Sequence, residues 1–125
     1  MNIIITWIKN CKIIKEIILK NNLVSRVLVI SFDIDLIQEI KKLDPDIKVG
    51  FLFKKYSKKI WNFVESIPLD YICPKYSIVN EKIVKKAHGL GAKVYAYDVN
   101  EKKVGDYLIE LGVDKIGTDF PKLFI

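Results

Sequence analysis

VYAYDVNEKKVGDYLIELGVDKIGTDFP, residues 94–121, reads as a strand, an acidic turn, an amphipathic helix, Gly-Val-Asp and a second strand. The same unit recurs upstream. Apolar, β-branched or aromatic beats open at Val27 (VLVISF), Val49 (VGFLF), Tyr71 (YICP), Val94 (VYAYDV) and Lys115 (KIGTDF), a period of roughly 22 residues with room for a helix in every gap. Strands that read as continuous apolar runs between amphipathic helices are buried on both faces, which is the signature of a parallel βαβ series. The pattern predicts helices over 12–22, 35–43, 57–66, 80–90 and 101–111. In the fourth, Ile83, Val84, Ala87 and Leu90 form one stripe, and Glu81, Lys82, Lys85 and Lys86 the other. Asn80 is placed to cap that helix. Gly91 and Gly112 follow the last periodic residues of their helices, where a left-handed residue ends the helix and glycine takes that conformation without steric cost. MNIIIT, residues 1–6, lies about one period before Val27 and is counted as a sixth strand.

The 125 residues, half of them hydrophobic, make one domain able to bury a core. No apolar run approaches a membrane span, and the N-terminus lacks the basic start and long apolar region of a secretory signal, so a cytoplasmic protein is expected. Cys11 and Cys73 stand far apart without a His or Cys companion at ligand spacing; they read as reduced structural thiols, and no metal site is assigned. The net charge of +6 comes almost wholly from lysine, Arg26 being the sole arginine. Nucleic-acid surfaces mix arginine with aromatics, and the nearest approach, KKYSKKIW at 54–61, reads as a solvated loop and first helical turn anchored by Trp61. No nucleic-acid partner is expected.

Parallel β/α sheets gather ligands beyond the carboxyl ends of their strands, where loops and helix N-termini converge. The residues there are Ser31, Phe32 and Asp33; Leu52 and Phe53; Pro74, Lys75 and Tyr76; Tyr97, Asp98 and Asn100; Thr118 and Asp119. Structural roles compete for each. Asp33 or Asp35 would cap a helix, Asn100 would cap the helix beginning near Glu101, Asp119 would close a turn before Phe120-Pro121, and Asp98 would be a solvated carboxylate. Lys75, a cation leaving a strand end between Pro74 and Tyr76, suits an anionic ligand. His88, the only histidine, falls on the fourth helix away from that rim, so no histidine pair is present for acid–base work.

ISFD after the second beat, LDPDIKVGFLF, CPKY, AHGLGAKVYAYDVN and LGVDKIGTDFP, in this order from about Leu23 onward, resemble the C-terminal part of the glycerophosphodiester phosphodiesterase family. The resemblance implies an α/β fold, a partial (β/α)8 TIM-type barrel of about six parallel strands with the first two strands absent, forming a single incomplete domain over residues 1–125. It implies a metal-dependent phosphoric diester hydrolase of glycerophospholipid metabolism, using Mg or Ca. The family's His-Arg-Gly, Glu-x-Asp and His-Asp motifs have no counterpart here, and its Glu-x-Lys strand would fall on Ile4 and Thr6. An alkyl group cannot replace a hard cation's oxygen ligand. The resemblance therefore implies no catalytic residue, no metal site and no cofactor for this chain alone.

The late rim carries over as a candidate substrate-binding set: Ser31, Phe32, Lys75, Tyr76, Tyr97 and Asp119. Tyr97 stands where the family commonly places a Trp against substrate, while Asp98 departs from the usual Thr and adds negative charge. Three functions follow as expectations. The first is a family remnant or split-enzyme piece, inactive by itself. The second is a module binding a small anionic phosphodiester or glycerol phosphate through Lys75, Ser31 and the amides around Gly117–Asp119. The third is an interaction subunit whose open sheet edges and KKYSKKIW segment bind another protein, the edges being covered by an N-terminal half or a second copy.

Overall fold

The computed structural model describes residues 3–5 and 10–125. Six strands, β1 (Ile3–Ile5), β2 (Val27–Ser31), β3 (Lys48–Phe53), β4 (Tyr71–Pro74), β5 (Lys93–Ala96) and β6 (Lys115–Ile116), alternate with five helices. These are α1 (Cys11–Lys20), α2 (Ile34–Leu43), α3 (Lys58–Ser66), α4 (Glu81–Gly89) and α5 (Lys102–Glu110). Every strand pair is parallel, and strand order in space follows chain order from β1 to β6. A doubly wound sheet would reverse direction at a switch point; this one advances by one neighbour per unit, as a barrel wall does, and curls into a half-barrel.

The two faces of the sheet are filled differently. Val29, Val49, Ile72 and Val94 point outward and meet Ile18, Ile37, Ile40, Ile60, Val84 and Leu108 of the helices, all fully buried. Residues of the opposite parity, Leu28, Ile30, Leu52, Tyr71 and Cys73, form a second, smaller cluster on the concave face, with half-buried Ile4, Tyr95 and Tyr97 against it. Gly50 is the inward residue of β3 beside Cys73, and a Cβ there would come within 2.7 Å of the Cys73 sulfur.

The ends of the helices follow the sequence closely. Asn80 Oδ1 accepts the Ile83 N–H at 3.0 Å, and Asp33 Oδ1 accepts the Asp35 N–H at 2.9 Å. Gly91 and Gly112 sit at φ +86° and +96°. Asn100 departs from expectation. Glu101 occupies the cap position of α5, and the Asn100 side chain instead bridges to the loop after β6, accepting the Asp119 N–H at 2.9 Å and donating to Asp119 Oδ2 at 3.1 Å. A planar amide with one donor face and one acceptor face fits that two-way bridge better than a single capping bond.

At the opposite, N-terminal end of the strands, the short motifs Leu69-Asp70-Tyr71-Ile72 and Val113-Asp114-Lys115-Ile116 repeat one device. Asp70 Oδ2 accepts the Val49 N–H at 2.9 Å and Lys41 Nζ at 2.8 Å. Asp114 Oδ2 accepts the Val94 N–H at 2.8 Å and lies 2.7 Å from His88 Nε2. Each carboxylate thereby ties the start of a neighbouring strand to a helix, so His88 serves this end of the fold and not the rim. Of the six-residue N-terminal strand expected from sequence, Ile3–Ile5 are paired with β2; Met1, Asn2 and Thr6 lie outside the described residues.

Candidate functional site at the strand carboxyl ends

The carboxyl ends of β1, β2, β3 and β5 surround a hollow of about 580 Å³ lined by Ile4, Ile30, Ser31, Phe32, Asp33, Leu52, Lys54, Tyr95, Tyr97 and Asp98. Strand alternation dictates who reaches it. Ile30 and Leu52 are inward residues, and Lys54 continues the parity of Gly50 and Leu52 past the end of β3. Ser31 ends β2, and its hydroxyl oxygen accepts the Asp33 N–H at 3.0 Å, folding the loop that leads into α2. That turn pushes Phe32 outward, where it is 54% exposed.

Phe32 meets Tyr97 edge-on, ring centroids 6.0 Å apart, and the Lys54 ammonium lies 5.7 Å from the centre of the Phe32 ring. The Tyr97 hydroxyl donates to the Phe53 carbonyl at 3.2 Å, which fixes its ring across the mouth of β3. Burial, then the nearby Asp98 carboxylate, hold the Tyr97 phenol above its usual pKa, and burial does the same to Tyr95. Both stay protonated phenols at neutral pH.

Of the six sequence candidates, Ser31, Phe32 and Tyr97 line this hollow. Lys75 and Tyr76 do not. They lie exposed beyond β4, where the Lys75 N–H donates to the Phe53 carbonyl and the Tyr76 N–H to the Tyr97 carbonyl, so their backbones extend the sheet toward β5. Asp119 is held by Asn100. The Gly117 and Asp119 amides, candidate anion donors from sequence, donate to the Ala96 carbonyl and Asn100 Oδ1. Lys54, Asp33, Asp98 and Tyr95 enter as residues the candidate set did not contain. Lys54 was legible in principle: counting by twos from Gly50 through Leu52 reaches it.

Ca²⁺ takes six to eight oxygens, largely from protein, whereas Mg²⁺ keeps an octahedral set with several waters around one or two carboxylates. The hollow offers two carboxylates, Asp33 and Asp98, one of which already caps α2, and Ile4 places an alkyl group on its wall. Among the described residues no group of three or more His, Cys, Asp or Glu is gathered. These residues do not by themselves make an all-protein cage for a divalent cation.

Consecutive parallel β/α units with a polar, aromatic-edged hollow at the strand carboxyl ends define a wall of a TIM-type barrel with part of its ligand mouth. The family profile described as the glycerophosphoryl diester phosphodiesterase family matches residues 7–123, and the chain belongs to that family. A glycerophosphodiester phosphodiesterase of Caldanaerobacter subterraneus is 28% identical over 117 residues, covering 94% of this chain and 46% of that protein. Among solved structures, a glycerophosphodiester phosphodiesterase from Parabacteroides distasonis superposes with a TM-score of 0.80 at 21% identity, covering 95% of this chain and 52% of that one. An Oleispira antarctica phosphodiesterase, solved with the product sn-glycerol-3-phosphate, gives 0.77 at 20% identity, with coverage of 98% and 53%. Likeness at that identity establishes the fold. The chain spans about half the length of the curated relatives it matches.

Proposed function

We propose that this chain supplies the later wall and part of the ligand mouth of a glycerophosphodiester-binding barrel and has no hydrolase activity by itself. The observation carrying this reading is the hollow at the strand carboxyl ends, where Lys54, Ser31, Phe32 and Tyr97 combine a cation, a hydroxyl and two ring surfaces. A phosphate monoester or diester matches the ammonium, and a glycerol or alcohol moiety matches the aromatic edge. Lys75 and Tyr76 stand on the same rim outside the hollow, within reach of a larger headgroup, and Asp119 orders the last loop. The bound product of the Oleispira antarctica enzyme makes glycerol 3-phosphate the first ligand to try.

Hydrolysis of a phosphodiester needs groups to activate water, protonate the leaving oxygen and spread the developing charge. Neither the hollow's phenols nor its two carboxylates form such a set, so turnover belongs to an assembly in which further strands complete the mouth. Calorimetry of the chain with glycerol 3-phosphate, beside a hydrolysis assay on glycerophosphocholine with Mg²⁺ or Ca²⁺, tests both halves. Saturable binding without turnover is the expected result. Absence of heat at millimolar ligand removes the binding reading, and robust turnover by the chain alone removes the inactivity.

A further inference from the structure

The concave face carries a second feature at the end opposite the rim. Lys48, Lys93 and Lys115 each open a strand, and each has the parity of the inward residues, in line with Gly50 and Leu52 on β3, Tyr95 on β5 and Gly117 beyond β6. With Ser25, Leu28, Tyr71, Asp70 and Asp114 they surround a floor pocket of about 460 Å³. Lys115 Nζ lies 5.9 Å from the centre of the Tyr71 ring. Each floor carboxylate uses its Oδ2 elsewhere, Asp70 with Lys41 and the Val49 N–H, Asp114 with His88 and the Val94 N–H. Among the described residues, none of the three lysines has a carboxylate within ion-pair distance.

An isolated half-barrel leaves these ammonium groups in water at no cost. Closure changes that, because the interior of an eight-stranded barrel is packed with side chains and is not a pore, and an ammonium group drawn from water is favoured there only with an anionic partner. A segment that completes the wall with anions at its strand starts would partner these ammonium groups. A second copy would set three further lysines against these three, and would add six strands where an eight-stranded barrel has room for two.

We infer that the concave floor of this chain is an interaction surface for a β/α segment whose inward residues at the strand starts are carboxylates, and that it rejects a second copy of itself. The apolar edges fit the same occupant: Ile13 and Ile17 on α1 and Ile109 on α5 are each about half exposed beside the edge units of the sheet, where a neighbouring helix on either side would cover them. This rests on the reading that further strands complete the barrel, but not on the rim ligand, so loss of glycerol 3-phosphate binding leaves it standing.

The test uses the full chain and two designed polypeptides of two β/α units each, one with Glu at the first inward position of both strands and one with Gln there. Binding is followed by sedimentation and by amine-directed labelling of Lys48, Lys93 and Lys115 against the outward Lys85. The Glu polypeptide is expected to bind at least about tenfold more tightly than its Gln counterpart, to protect the three floor lysines, and to weaken with salt. That preference disappears in K48M/K93M/K115M, or in K93M alone should the triple variant fail to fold. Equal affinity for the two polypeptides, no binding by either, a chain that dimerises by itself with the floor lysines protected, or protection of those lysines by inorganic phosphate alone would each overturn the inference.

Discussion

The outer and concave faces of one sheet are built from the same six strands yet obey different rules. Outward residues Val29, Val49, Ile72 and Val94 are fully buried beneath helices that this chain supplies. Inward residues alternate lysine at the floor, a small apolar cluster in the middle and polar or aromatic groups at the rim. The first face is self-sufficient and holds the fold together. The second mixes charged, apolar and aromatic side chains around a small buried cluster.

The sharpest way to break that distinction is truncation on either face. Ile72 on the outer side is 0% exposed, and Ile72→Ala is expected to cost about 3–4 kcal/mol, the transfer and cavity terms together. Leu52, inward and 8% exposed beside open solvent, is expected to cost about 2 kcal/mol or less as Leu52→Ala, because water fills the site without leaving a void. Urea denaturation of the two variants checks this. Equal losses would mean that the concave cluster is as much a core as the outer one.

The two strand-start aspartates sharpen it next. Asp70 pairs with Lys41, whose side chain is 11% exposed, whereas Asp114 pairs with His88 at 40%. Removing Asp70 leaves a nearly buried ammonium group with the Ile47 carbonyl but no counterion, and the Val49 N–H without its side-chain acceptor, so Asp70→Ala is expected to cost about 2–3 kcal/mol. For Asp114→Ala the expectation is about 1 kcal/mol, since water reaches the histidine. Thermal melts at neutral pH decide the order.

The thiols give a pH test with one group on each face. Burial, reinforced by Glu39 and Asp33, lifts Cys11 at the start of α1 from 9.0 to about 11, and burial alone lifts Cys73 on the concave face. Between pH 9 and 11 the unfolded chain loses thiol protons that the folded chain keeps, so the unfolded state binds fewer protons and stability falls as pH rises. Below pH 9 the contribution is fully present. Cys11→Ala is expected to flatten part of that decline in reducing buffer. An unchanged slope would show that Cys11 ionises freely in the folded protein.

Much of this was readable from the chain. The strand beats, the helix stops at Gly91 and Gly112 and the caps at Asp33 and Asn80 are local chemistry, so pattern alone placed them. Phe32 and Tyr97 followed from their position after a beat. What pattern could not weigh was the inward parity of charged residues. Lys48, Lys93 and Lys115 look like wet strand starts, and Lys54 like part of a wet loop, until a curled sheet gives those positions a concave side. Asn100 failed for a related reason: a capping role is local, but the bridge it makes to Asp119 joins loops from two different strands.

The smallest expected effect belongs to the outer face. Tyr56 packs between Phe53 and Trp61, with centroids 5.1 and 6.2 Å away, and Lys86 covers the far side of the same Trp61 at 4.7 Å. Among the described residues the Tyr56 hydroxyl oxygen is buried without a hydrogen-bond partner, and burial holds the phenol above its usual pKa. Deleting an unpaired buried hydroxyl removes a desolvation penalty and leaves the ring contacts in place, so Tyr56→Phe is expected to be neutral or to stabilise by up to about 1 kcal/mol. Phenylalanine at Tyr97 provides the contrast, since that hydroxyl reaches the Phe53 carbonyl and its loss should destabilise slightly and loosen the mouth. A loss of stability in Tyr56→Phe would reveal a partner for that hydroxyl, and with it a polar contact inside the face that otherwise stands on apolar packing alone.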